Sequence, residues 1–215
     1  MKYELHNKYD AFTKVKKVIE SCDTSKQFIV ASSMLKNFEL YYDEDDHYLL
    51  NTLKGVRLNK LSEIVEKKHY KFIDEKVTWQ EAVRLSAESL VADGSTDEDY
   101  YKQIVNCITK HGPYVVFDHY IAMPHSTENA HGVHKTGIGF MVNKQVVDFG
   151  EDEDGEKKEA KLFFTLASCN GEEHMNNITQ LMGIFNNEEL LDALMEAETP
   201  EDILEAEKKY PCEEF

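Results

Sequence analysis

The sequence predicts a layered α/β fold carrying a small helical appendage at its N-terminus. Apolar residues recur at helical spacing up to about residue 110 and again after residue 174, while β-branched and aromatic runs of strand length fill the interval between. Hydrophobic residues make up 41% of the 215, with only 10 Gly and 4 Pro, so a disordered, collagen-like or low-complexity chain is excluded. The charge balance narrows the partners. With 24 Lys and Arg against 41 Asp and Glu, the net charge of −17 repels phosphate backbones and anionic membranes, and nucleic acid is disfavoured. Cys22, Cys107, Cys169 and Cys212 lie far apart without a CxxC pair, and the N-terminal MKYELHNKYD lacks the apolar core of a secretory signal. No run approaches the roughly 20 apolar residues of a membrane-spanning helix. A cytoplasmic protein with no membrane insertion is expected.

The elements follow in order. Val15, Val18, Ile19 and Cys22, then Phe28, Ala31, Leu35 and Phe38, form two short apolar stripes that predict a helical hairpin over residues 12–40, with Thr24 and Gln27 at capping-box spacing between them. Asp43 to His47 reads as a solvated acidic linker, since adjacent carboxylates on flexible chain seldom converge on a metal. The appendage and linker thus occupy residues 1–49 and the main domain residues 50–215. Leu50, Leu53, Leu58, Leu61, Ile64 and Val65 suggest a connecting helix interrupted at Gly55, and Lys67, Lys68, His69 and Lys71 read as its solvated end. Thr78 and Glu81 form a capping box ahead of a helix burying Trp79, Ala82, Val83, Ser86 and Leu90, which Asp93-Gly94 closes. Thr96 is expected to cap a further helix with an acidic first turn, buried through Tyr100, Ile104, Val105 and Ile108 and ended by Gly112-Pro113.

Strands are expected at 114–117, 120–123, 136–142, 146–149 and 161–167, with an acidic loop at 150–159. Met175, Ile178, Leu181, Met182 and Phe185 then define a helix, followed by Leu190, Leu191 and Leu194 and by a Thr199-Pro200 start with Ile203 and Leu204. Helices, then strands, then helices make a layered domain.

Nine histidines against two arginines is the unusual ratio in this composition, and five of the nine fall between residues 111 and 134. His131 and His134 have a spacing that binds zinc on a helix, but the intervening Gly-Val argues for a turn and no further ligand sits at a useful distance. His125 is different. It follows the apolar strand Ile121-Ala122-Met123 and then Pro124, which keeps Met123 extended and fixes its own φ, so the residue leaving the strand has a defined position. A fixed imidazole at a strand exit suits a nucleophile, and it equally suits an inert strand-end turn.

A larger pattern resolves that choice. Trp79-Gln80-Glu81-Ala82-Val83-Arg84, Gly112-Pro113-Tyr114-Val115-Val116, Ile121 to Ser126, Gly132 to Gly137, Val147-Asp148-Phe149, Leu162 to Ala167 and His174, in that order, resemble the IIA component of the bacterial phosphoenolpyruvate-dependent sugar phosphotransferase system (PTS), mannitol/fructose type. The Gly-Pro-Tyr and Gly-Val-x-Lys segments are most similar to the ascorbate-type subgroup and to IIA-like domains of PTS-linked regulators. The resemblance spans about residues 50–208. It implies a central mixed β-sheet flanked by helices, the PTS IIA type 2 fold, and a phosphotransferase with catalytic residues His125, the phosphorylated group, and His174, its neighbour. It also implies phospho-HPr as donor, a IIB protein or domain as acceptor, and no cofactor or metal. Mannitol-type members carry an arginine upstream of the reactive histidine, whereas residues 105–110 here read Val-Asn-Cys-Ile-Thr-Lys, leaving Lys110 or His111 as substitute cations. Ser126 is a further candidate donor to phosphoryl oxygens. The alternative within the resemblance is a phosphorylation-sensing regulatory domain that binds a protein partner through residues 1–49, where the hairpin is also a candidate homo-oligomer surface.

Overall fold

A computed structural model of the chain describes residues 60–126 and 131–211; the expected hairpin, the acidic linker, Cys22 and Cys212 lie outside the described residues. The described chain runs α1 (Lys60–Glu66), β1 (Tyr70–Ile73), α2 (Trp79–Ala92), α3 (Tyr100–His111), β2 (Val116–Phe117), β3 (Ile121–Ala122), β4 (Gly137–Glu151), β5 (Lys157–Ala167), α4 (Gly171–Phe185), α5 (Glu188–Glu196) and α6 (Pro200–Lys209). The five strands form one mixed sheet in the order β1-β4-β5-β3-β2. β4 and β5 are antiparallel, β1 joins β4 in parallel, β3 joins β5 in parallel, and β2 closes the edge antiparallel to β3.

Side-chain alternation divides the interior into two cores. Ile138, Phe140, Val142, Leu162, Phe164 and Leu166 face the layer formed by α1, α4, α5 and α6, where Leu61, Leu181, Leu190, Leu194 and Ile203 pack against them. Met141, Val147, Ala160, Phe163 and Ala167 face α2 and α3, meeting Ala82, Val83, Leu90, Ile104 and Ile108. At Gly139 the second layer comes close. A Cβ there would lie 2.7 Å from the Ser86 carbonyl oxygen, so α2 rests on bare strand backbone.

The structure corrects four details of the sequence reading. Lys67 and Lys68 are exposed at the end of α1 as expected, but His69 is only 2% exposed, with Nε2 3.0 Å from Asp93 Oδ2, and Lys71 belongs to edge strand β1. Thr96 caps nothing: it is buried and bridges to Val133, and α3 starts four residues later at Tyr100. The expected strands 136–142 and 146–149 are one strand with a bulge. Asn143 makes that possible, its side chain accepting from the Glu75 and Gln145 N–H groups and donating to the Glu75 carbonyl where ladder partners are lost. The acidic loop shrinks to a tight turn, with Asp152 Oδ1 accepting from the N–H groups of Asp154 and Glu156 and β5 starting at Lys157. At α2 the Thr78 hydroxyl takes the Glu81 N–H as expected, while the Glu81 carboxylate turns to Arg84.

Candidate functional site

The site forms where β3 and β5 end side by side. Their parallel register pairs Ile121 with Leu162 and Ala122 with Phe163. The Leu166 N–H donates to the Pro124 carbonyl at 2.9 Å and the Met123 N–H to the Val115 carbonyl at 2.8 Å, so the exit of β3 is held from both neighbours up to the proline. His125 comes next. Ile121 and Met123 face the α4 layer and Ala122 the opposite one, so His125 continues the first set.

His125 Nδ1 lies 2.8 Å from the Met123 carbonyl oxygen. A carbonyl only accepts, so Nδ1 carries the proton and the neutral ring has its free lone pair on Nε2. Tyr114 steadies the same residue from the side. Its hydroxyl donates to the His125 carbonyl at 2.8 Å, and its ring meets the imidazole edge-on at a centroid distance of 5.4 Å. Tyr100 secures the following residue: its buried hydroxyl donates to the Leu166 carbonyl at 2.6 Å and accepts the Ser126 backbone N–H, and burial pushes its pKa up to about 12. The Ser126 N–H is therefore already engaged, and the Ser126 hydroxyl sits 3.7 Å from the Cys107 thiol.

His174 arrives from α4. Asn170 caps this helix, its side chain accepting the Glu173 N–H at 2.9 Å, while Glu173 receives hydrogen bonds from Asn170 Nδ2 at 3.1 Å and from the Thr136 hydroxyl. Thr136 in turn accepts the Cys169 N–H at 3.0 Å. With the first turn fixed in this way, the His174 ring sits 5.5 Å from the His125 ring, tilted by 46°. The two residues singled out as catalytic, 49 positions apart in sequence, are thus neighbours in space.

Burial favours the neutral form of both rings. Burial lowers the His125 pKa below the ordinary imidazole value, against a smaller upward push from the Met123 carbonyl. Burial also lowers that of His174, and the proximity of His125 lowers it further. Lys110 and His111 are exposed in the last turn of α3, the helix whose Tyr100 and Cys107 meet Ser126; His119 is exposed with Nε2 3.5 Å from Glu188; His134 pairs with Asp97 at 2.8 Å, and the His131 backbone is held by the Gln103 side chain. Among the described residues no group of three His, Cys, Asp or Glu is placed to hold a metal ion, and no helix is long and apolar enough to cross a membrane. Sequence reasoning missed Tyr114 and Tyr100 as supports of the site. Their partners lie 11 and 66 residues away, a distance no local pattern encodes.

Fold and geometry together define a class: α/β proteins whose mixed sheet sets two imidazoles ring beside ring, one at the exit of β3 and one in the first turn of the helix that follows β5. Within that class the chain belongs to the family of the phosphoenolpyruvate-dependent sugar phosphotransferase system, EIIA 2, whose pattern matches residues 63–209. The ascorbate-specific PTS system EIIA component of Escherichia coli K12 is 30% identical over 143 residues, 66% of this chain and 90% of that one. Two solved structures share the fold. The mannitol-specific cryptic phosphotransferase enzyme IIA of E. coli superposes with a TM-score of 0.60 at 26% identity, over 70% of this chain and 99% of that one. Enzyme IIA mannitol of E. coli, solved in complex with phosphorylated enzyme IIB mannitol, does so with a TM-score of 0.55 at 29% identity, over 66% and 95%. Family and relatives establish a phosphocarrier role in a sugar phosphotransferase system.

Proposed function

We propose that His125 accepts a phosphoryl group from phospho-HPr and passes it to a thiolate of a IIB component, with His174 assisting the transfer. The observation that carries this reading is the hydrogen bond from His125 Nδ1 to the Met123 carbonyl, which leaves the Nε2 lone pair free as the nucleophile, in a ring 5.5 Å from that of His174. In the first half-reaction the Nε2 lone pair forms a bond to phosphorus as the donor's P–N bond breaks and its electron pair returns to the donor ring. The Nδ1 proton stays with Met123, so the phosphorylated ring is cationic and the carbonyl dipole stabilises it. In the second, the acceptor thiolate attacks phosphorus, the N–P bond breaks, and the ring returns to its neutral state. Transfer in both directions needs in-line positioning and hydrogen bonds to the phosphoryl oxygens and little else from the protein. His174, kept neutral by burial, by His125 and by its place in the first turn of α4, donates one such bond.

IIB as acceptor is supported by the complex formed by the mannitol relative. The transfer domain is assigned to residues 50–215 and acts from the cytoplasm, with residues 1–49 an appended segment. Intact-mass measurement after incubation with phosphoenolpyruvate, enzyme I and HPr tests the assignment: the wild-type chain gains one phosphoryl mass and His125→Gln gains none. A His125→Gln protein that still takes up the group would sink the proposal.

A further inference from the structure

We infer that Asn177 and Ser168 bind the phosphoryl group carried by His125, supplying neutral hydrogen-bond donors to its oxygens. The inference rests on the assignment of His125 as the phosphorylated residue.

A phosphoryl group adds up to two negative charges at the site. Arg84 is committed to Glu81 and Glu88 on α2, which covers the opposite face of the sheet. The three phosphoryl oxygens take more donors than the one His174 supplies, because charge left short of hydrogen bonds in a half-buried site is costly.

Two apolar stripes each end in a polar residue at this point. On α4 the core positions Leu181 and Ile184 continue backwards to 177, where periodicity calls for another apolar side chain and the chain has Asn177, only 4% exposed. On β5 the side chains of Leu162, Phe164 and Leu166 face the α4 layer, and the next position of that series is Ser168. Both end in atoms with no hydrogen-bond partner: Asn177 Nδ2 and Ser168 Oγ are buried and unsatisfied. A buried amide or hydroxyl left this way costs about 1–3 kcal/mol, so each needs a reason to stay.

Their placement supplies it. The bond from the Leu166 N–H to the Pro124 carbonyl sets His125 opposite Leu166, and Ser168 stands two residues further along on the same face. Asn177 lies one helical turn beyond His174, whose ring is 5.5 Å from that of His125. The two orphaned donors therefore belong to the strand and the helix that bring the imidazoles together, on the side of the sheet both rings occupy. An amide and a hydroxyl bind phosphoryl oxygens while leaving the bound group less tightly held than a guanidinium would, which suits a carrier that must release it.

The test uses the full chain with phosphoenolpyruvate, enzyme I and HPr, reading the rate of phosphoryl uptake, the phosphorus NMR shift of the phosphohistidine and the thermal midpoint. Asn177→Leu is expected to melt at or above the wild-type temperature, because an unsatisfied amide is replaced by core, and to accept phosphoryl about tenfold or more slowly with a displaced phosphorus signal. Ser168→Ala, a smaller change at a less demanding position, is expected to show the same loss of rate with an unaltered melt. Uptake within about twofold of wild type in both variants, with the phosphorus signal unmoved, would overturn the inference and leave His125 standing. So would loss of rate that merely tracks loss of folded protein. A wild-type chain that gains no phosphoryl group would remove the His125 assignment itself, and this inference with it.

Discussion

At the residue scale, the tautomer and charge of His125 govern its reactivity. With Nδ1–H bound to Met123 and the ring pKa held below about 6.5, the nucleophilic form persists where a free imidazole would already be half protonated. Phosphoryl uptake should accordingly stay flat from pH 8 down through about 6.5 and fall only below it; a rate already halved near 6.5 would show an imidazole titrating as in water. The linkage has the same sign. Both histidines have folded-state pKa values below the unfolded one, so their contribution to stability is complete above about 6.5 and is lost as pH falls through the lowered values. His125 was legible in the sequence because a proline at a strand exit leaves a local mark. His174 was legible only through the resemblance, since nothing in Glu173-His174-Met175 distinguishes a site residue from a helix-start surface histidine. Asn177 escaped notice among the apolar positions of its helix.

At the element scale, α2 rests directly on the β4 backbone at Gly139. Gly139→Ala sets a methyl 2.7 Å from the Ser86 carbonyl oxygen, a backbone atom that moves only with the helix, and is expected to destabilise the fold by about 1–3 kcal/mol in denaturant unfolding. A change below about 0.5 kcal/mol would show that α2 slides freely, contrary to the buried Ser86 to Thr165 hydroxyl contact at 2.6 Å. Helices were the easier elements to read. The caps at Thr78 and Thr199 and the Gly112 terminus act within a turn and leave their signatures in adjacent residues. Strands were harder: β1 hides behind Lys67, Lys68 and Lys71, and the bulge in β4 is stabilised by Asn143 reaching to Glu75, 68 positions away. Thr96 has the chemistry of a cap, but a bridge to Val133 claims its backbone first.

At the scale of the whole molecule, a charge of −17 acts on every encounter. On the proposed reading, in which this acidic carrier docks briefly on a basic-rimmed phospho-HPr, long-range attraction speeds the encounter, and the KM for phospho-HPr should rise as the Debye length shrinks from about 30 Å at 0.01 M salt to about 8 Å at 0.15 M. A KM indifferent to salt would mean that contact, not field, selects the partner. The order of strands in the sheet has a further consequence. β3 emerges early during synthesis, yet the strand that holds its exit, β5, is completed more than 40 residues later and leads directly into the helix bearing His174. Until the ribosome has released that distal portion, neither imidazole has its companion, and an unfinished polypeptide stays chemically silent toward the relay.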